Sequence, residues 1–280
     1  MQNQVRHLRV WIALTTFVCG SSHVAVADDA REDGRVYLVG MGPGDPELLT
    51  IKARNVLKEA DRIYCFGYLK QEVAPFARPD ALTVASPLLM ARYRSSDPEK
   101  LQGEQRKKAL ESAEESAKFV RRVQELVASG KTVAIATAGD PTIFCPWSWV
   151  MHELADSNPA IVPGLSSFNA ASAALKRSIT AKGGAVLLSS GDNLGTADKD
   201  GRLKMTLVFF THRTKIHQLV HRLLDCYPKD TPLAIVCEAS YDRQQVVWST
   251  LGTITETLEK RQLPHLYLVY VGDGLAKPTK

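Results

Sequence analysis

The positions of this 280-residue chain that could do chemistry are mostly small residues. The run VYLVGMGPGDPELLT, from Val36 to Thr50, leaves an apolar strand pattern, crosses Gly40, Gly42 and Gly44, and reaches Asp45 and Pro46. Glycines so placed let a backbone turn sharply at a strand end and approach a ligand closely, while Asp-Pro suits the cap and first turn of a following helix. The spacing is neither the GxGxxG of dinucleotide sites nor the GK[ST] of a P-loop. A second turn, ATAGDPTIF, sets Asp140 at the end of another apolar run. That carboxylate could accept hydrogen bonds from sugar hydroxyls or an amino group, or it could cap a helix after Pro141. Ser166 and Ser167, in VPGLSSFNAASAAL, read either as ligand contacts or as plain helix caps. Groups able to take a proton are few, with Asp45, Tyr68 and His212 as the candidates, and Arg92, Arg94, Arg177 and Arg213 lie near expected loop ends where they could meet carboxylates.

Alternating strands and helices must position these turns. RVYLVG, RIYCF, TVAIAT, AIVPG, AVLLSS, TLVFF, PLAIVC and HLYLVYVG are short apolar runs that predict strands. Between them, PELLTIKARNVLKEA and KIHQLVHRLLDCY carry apolar residues at helical spacing, and the charged stretch from Tyr93 to Gly130 reads as the solvated face of one long helix. The alternation predicts an α/β protein. A Ser-Asn-Pro turn at 157–159 marks the break, with an N-terminal α/β domain over 28–157, AIVPG opening the second half, and a C-terminal α/β domain over 163–280. A ligand cleft is expected between the two.

Hydrophobic residues make up 45% of the chain and charged ones 23%, which excludes a disordered or membrane-bundle class. A net charge of +5 is too mild to imply nucleic acid. Arg6 and Arg9, the run VWIALTTFVCG, and the small residues Ala25 and Ala27 have the layout of a secretory signal peptide over 1–27, so the mature chain is expected outside the cytoplasm, in the periplasm, without a membrane span after cleavage. Cys65, Cys145, Cys226 and Cys237 show no metal-ligand spacing and read as buried thiols, although export would permit a disulfide.

Five segments, GMGPGDPELLTIKA, ATAGDPTIF, VPGLSSFNAASAAL, TLVFFT and PLAIVCEASYDRQQVVWSTLGTI, resemble in order and spacing the tetrapyrrole methylase family, the S-adenosylmethionine-dependent enzymes of cobalamin and sirohaem synthesis. The resemblance runs from Arg35 to about Gly272, and PGLSSFNAASAAL with the helical insertion looks most like the members that methylate a meso carbon of precorrin-2. It implies two α/β domains, a methyl donor folded in the cleft between them and held largely by main-chain atoms, a tetrapyrrole substrate and a homodimer. Pro43, Ala138, Gly139, Asp140 and Ile143 match donor-contacting positions, Ser166 and Ser167 match a Thr-Ala or Thr-Ser pair, and Thr211 and Ala239 match adenine-side positions. The chain departs from the pattern at Phe66, where uroporphyrinogen methylases carry an acid, and in TVASPLLM, which lacks their lysine; both argue against the uroporphyrinogen step. Thr211 stands where relatives have methionine, and Cys145 where many have glycine.

The implied function is methylation of a precorrin-like carbon. Alternatives are a methyltransferase of the same fold on a protein or peptide, and an exported tetrapyrrole-binding protein without catalysis. The acceptor is expected across the gap between the GPGD loop and the PGLSS turn, with Phe66 either offering it an apolar face or serving as a core aromatic.

Overall fold

Among the described residues, ten strands and eight α-helices carry the turns. The strands are β1 (Val36–Gly40), β2 (Arg62–Cys65), β3 (Leu82–Val84), β4 (Val133–Thr137), β5 (Ala160–Val162), β6 (Ala185–Ser189), β7 (Met205–Phe210), β8 (Pro232–Cys237), β9 (Gln245–Thr250) and β10 (Tyr267–Val271). The helices are α1 (Ile51–Glu59), α2 (Lys70–Val73), α3 (Ala91–Arg94), α4 (Gly103–Ala128), α5 (Val150–Glu153), α6 (Ser167–Ala174), α7 (Ile216–Leu224) and α8 (Ile254–Glu259). This computed structural model describes residues 34–180, 184–191, 193–196, 201, 203, 205–210 and 215–275, with the side chains of 91 and 92 left aside. The expected signal peptide over 1–27, Thr211, His212 and Arg213 lie outside the described residues.

The first sheet has the order β3-β2-β4-β1-β5, with every pairing parallel. Its central strand β4 is buried along its whole length because helices cover both faces. Val133 and Ile135 point into a cluster with Phe119 and Val123 of α4 and with Trp147, whereas Ala134 and Ala136 point to the other side, where Ala53 and Leu57 of α1 pack. The period of two sends β-branched residues to one face and alanines to the other, and the alanines let α1 sit close to the sheet. Each large side chain buried here contributes about 1.5–3 kcal/mol.

The second sheet runs β6-β7-β10-β8-β9, with only β6 and β7 parallel. Leu207, Phe209, Ile235 and Val269 pack on Leu219 and Leu223 of α7, while Val208, Val236 and Tyr270 pack on Ala171 and Leu175 on the side of α6.

Three expectations need correction. The strand in AIVPG does not open the second half: β5 pairs with β1 in the register Leu38–Ile161, so the first sheet runs on to Val162 rather than ending near 157. Asp45 does not cap an α-helix. Its Oδ1 accepts from Glu47 N at 2.8 Å to cap a 3-10 turn over Pro46–Leu48, and α1 starts afresh at Ile51 with Thr50 Oγ1 accepting from Ala53 N at 3.1 Å. The stretch from Tyr93 is not one helix, because Asp97 caps a separate turn at Pro98–Lys100 and the 26-residue α4 begins only at Gly103. Its outer face then carries the i,i+4 pairs Glu104–Lys108, Lys107–Glu111 and Glu114–Lys118.

Candidate active site

Because β4, β1 and β5 are neighbours in one parallel sheet, the loops that follow them emerge side by side at its carboxyl edge, where open α/β sheets bind ligands. Gly139 N–H donates to Gly42 O at 2.8 Å and Gly42 N–H to Gly139 O at 3.3 Å, stitching the GPGD loop to the AGD turn. On the other side, a Cβ placed on Gly164 would fall 2.4 Å from Gly139 O and 3.0 Å from the Gly40 Cα. These backbones touch, so only glycine fits. The expected gap between the GPGD loop and the PGLSS turn is therefore absent at their bases, and no ring can lie between them there.

The structure brings Pro43, Ala138, Gly139, Asp140, Ile143, Ser166 and Ser167 to this edge. Ala138 is exposed and Pro43 half-buried. Gly139 has φ +67°, and a Cβ there would stand 3.6 Å from Ser167 N and 3.7 Å from its Oγ, which places the AGD turn against the start of α6. Asp140 Oδ1 accepts from Thr142 N at 2.7 Å and from the Thr142 hydroxyl, so it holds a turn over 140–142; the helix expected after Pro141 is not formed. Ser166 is buried, and with Asn169 it closes a capping box at α6: Phe168 N–H donates to Ser166 Oγ at 3.3 Å, and Ser166 N–H to Asn169 Oδ1 at 3.1 Å.

Beyond β4 the same edge is apolar. Tyr68 after β2, Val84 ending β3 and Phe144 after β4 are 51%, 48% and 51% exposed. Phe144 holds a left-handed φ of +53° and its ring packs 4.9 Å from that of Phe210, the residue preceding Thr211 on the second sheet. Phe66 does not share this rim. It is only 3% exposed and lies stacked on Trp147 with centroids 4.4 Å apart, so it is a core aromatic. Burial pushes the Tyr68 phenol up to about 12, helped by the neighbouring Cys145, Cys65 and Glu72. A phenol held protonated to that degree donates hydrogen bonds at neutral pH and does not remove protons, which takes Tyr68 out of the base role. Cys145 is buried, its Sγ donating to Thr137 Oγ1 at 3.5 Å and accepting from Trp147 N–H at 3.3 Å.

The second sheet reaches the site through the loop after β8. Ala239 is buried there, next to Ser240, whose Oγ accepts from Asp45 N–H at 3.1 Å. Tyr241, which no reading of the sequence singled out, covers Gly44 from the same loop. Its only signal was its place one residue beyond AlaSer in the CEASYDRQQ segment.

Of the four arginines expected to meet carboxylates, Arg94 and Arg177 are engaged elsewhere, while the Arg92 side chain and Arg213 lie outside what the structure describes. Arg94 pairs with Glu153 at 2.7 Å and lies 4.0 Å from the Trp149 ring, and Arg177 lies 4.3 Å from the Trp248 ring while donating to Leu275 O. Cys65, Cys145 and Cys237 are buried free thiols as expected, but Cys226, expected to be buried with them, is exposed and also free.

The family model for tetrapyrrole (corrin/porphyrin) methylases matches residues 35–255, and the chain belongs to that family. It is 30% identical over 256 residues to a siroheme synthase of Psychrobacter sp., covering 88% of this chain and 48% of that protein. The chain thus spans about half the length of the siroheme synthases it matches. It is 29% identical over 254 residues to a precorrin-4 C(11)-methyltransferase of Mycobacterium tuberculosis, covering 86% of this chain and 91% of that one. The solved uroporphyrin-III-C-methyltransferase from Thermus thermophilus superposes with a TM-score of 0.63 at 26% identity, over 86% of this chain and 96% of that structure.

The site fits the family's methyl donor, S-adenosylmethionine. A donor held by main-chain atoms needs backbone it can approach closely, and the AGD turn beside the start of α6 carries glycine at residue 139.

Proposed function

We propose that this chain is an S-adenosylmethionine-dependent methyltransferase acting on a carbon of a partly reduced tetrapyrrole. The observation that carries the reading is the pairing of two features at one sheet edge: glycine turns packed backbone to backbone after β1, β4 and β5, and beside them an apolar rim of Tyr68, Val84 and Phe144 after β2, β3 and β4. Pro43, Ala138 and the turn at Gly139 offer main-chain atoms and small contacts to the donor. Ala239 and Thr211 are assigned to its adenine side. The rim gives a flat macrocycle an apolar face, and the protonated Tyr68 hydroxyl donates to an acceptor nitrogen or carboxylate. When bound, the donor supplies an electrophilic sulfonium methyl; for an electron-rich ring carbon, alignment in line with the leaving sulfur is the main requirement. These residues supply that alignment.

Named relatives act at C(11) of precorrin-4 and on uroporphyrin-III, and both lend weight to a tetrapyrrole acceptor over a peptide. The pattern of residues 1–27 supports export to the periplasm, and family membership supports a homodimer. A fusion of residues 1–35 to a reporter active only outside the cytoplasm tests the first, and sedimentation of the purified chain tests the second. For the function itself, calorimetric titration with S-adenosylhomocysteine is the test. One saturable site is expected, and no heat at millimolar ligand would overturn the reading.

A further inference from the structure

We propose that Tyr241 is a positioning residue through which the second sheet fixes the conformation of the Gly42–Asp45 loop, and with it the affinity of that loop for the methyl donor. The inference rests on the donor-binding reading above.

Gly44 has φ +140°, and a Cβ there would fall 2.3 Å from Tyr241 Cζ, 2.4 Å from Cε2 and 2.6 Å from the hydroxyl oxygen. The tyrosine ring thus lies directly on the glycine backbone. One residue away, Asp45 N–H donates to Ser240 Oγ across a sequence separation of 195. Burial raises the Tyr241 phenol, and the nearby Glu72 carboxylate on α2, back in the first sheet's half, adds to the rise. Glu72 Oε2 is buried without a hydrogen-bond partner. The ring and the adjacent serine therefore hold the loop at two points.

The connector that presents them is built for this. Glu238 and Ser240 are non-glycine residues in left-handed backbone, at φ +47° and +74°. Such a conformation is unfavourable for a residue with a side chain and persists only where its surroundings insist on it. Here Arg243 Nε pairs with Glu238 Oε1 at 2.6 Å, its guanidinium lies 4.9 Å from the Tyr241 ring, Ser240 N–H donates to Gln244 Oε1 at 2.9 Å, and Tyr241 N–H donates to Glu238 O at 3.1 Å. The connector is stiff, and its stiffness aims two side chains at Gly44 and Asp45. On its other flank the loop is already fastened to Gly139. The Tyr241 side of that clamp comes from the second sheet.

The test compares wild type, Tyr241→Ala, Tyr241→Phe and Ser240→Ala by amide hydrogen exchange at Gly44 and Asp45, by calorimetry with S-adenosylhomocysteine, and by KM against kcat for the donor. In Tyr241→Ala the two amides are expected to exchange faster, the Kd and the donor KM to rise about tenfold or more, and kcat at saturating donor to stay within about threefold of wild type. Tyr241→Phe keeps the ring on Gly44 and should recover most of the affinity, with Ser240→Ala intermediate. Should Tyr241→Ala fail to fold, Ser240→Ala decides: wild-type affinity and wild-type exchange at Asp45 in that variant would overturn the proposal. Unchanged exchange and affinity in a folded Tyr241→Ala would overturn it outright. Faster exchange in that variant, together with a wild type that binds no S-adenosylhomocysteine, would uphold the positioning and overturn the donor reading instead.

Discussion

Phe66 lies flat on Trp147, with ring centroids 4.4 Å apart and planes 15° apart, and Trp147 is fully buried. The stack anchors the end of β2 to the segment that follows the AGD turn, with Phe119 of α4 5.4 Å from the same indole. Its role is cohesion. Replacing Phe66 with alanine is expected to cost about 3–5 kcal/mol in urea unfolding, as for other buried phenylalanines. A cost below about 1 kcal/mol would place the ring at the surface.

Two glycines of the site separate room from conformation. At Gly139 a Cβ would make ordinary contacts but would sit on a left-handed backbone, so Gly139→Ala is expected to cost about 1–2 kcal/mol and to weaken donor binding by placing a side chain on the turn. At Gly164 the Cβ would strike the Gly139 carbonyl at 2.4 Å, and Gly164→Ala is expected to cost about 3 kcal/mol by forcing two strands apart. Thermal unfolding of both variants checks the order, and Gly139→Ala as the more damaging would refute it.

Alkali should weaken the first sheet. Burial raises the Cys65 thiol from about 9 to about 11, so between those values the unfolded chain has lost a proton that the folded chain keeps. Stability from this group is intact below pH 9 and falls as pH rises to about 11, by on the order of 2 kcal/mol. Tyr68, raised to about 12, acts in the same direction from pH 10 upward. Urea midpoints over this range should fall less steeply in Cys65→Ala than in wild type; parallel curves would contradict the assignment.

Arg94 belongs to the fold and not to an acceptor carboxylate. Its Glu153 partner is half-exposed and its Trp149 contact is a single stacked cation, so Arg94→Ala should lose about 1 kcal/mol of stability. Acceptor KM should stay at its wild-type value. A large rise in KM in a stable variant would return Arg94 to the site.

Much of this was legible in the chain. All eight strands expected from apolar runs exist, because a buried parallel strand must be continuously apolar, as VAIAT of β4 is. The two that were not expected lack that pattern: β3 is three residues long, and β9 is an edge strand in which only Val247 is fully buried. The glycine turns and the small residues at 138–140 and 166–167 could be read because special backbone conformations demand special residues. What could not be read is which strand neighbours which. AIVPG follows a turn in sequence yet pairs with β1, and this long-range pairing, invisible in local spacing, removed the gap expected beside Gly164. The Tyr241 contact escaped for the same reason, since Gly44 lies far from it in sequence.

The most direct test of the account is anaerobic incubation of the purified chain with S-adenosylmethionine carrying a labelled methyl group and a partly reduced, carboxylate-bearing tetrapyrrole such as a precorrin, followed by mass spectrometry of ring and protein. The account predicts a gain of one labelled methyl on a ring carbon. Label on a peptide and none on any tetrapyrrole, or ring binding with no transfer by a chain that binds the donor, would contradict it.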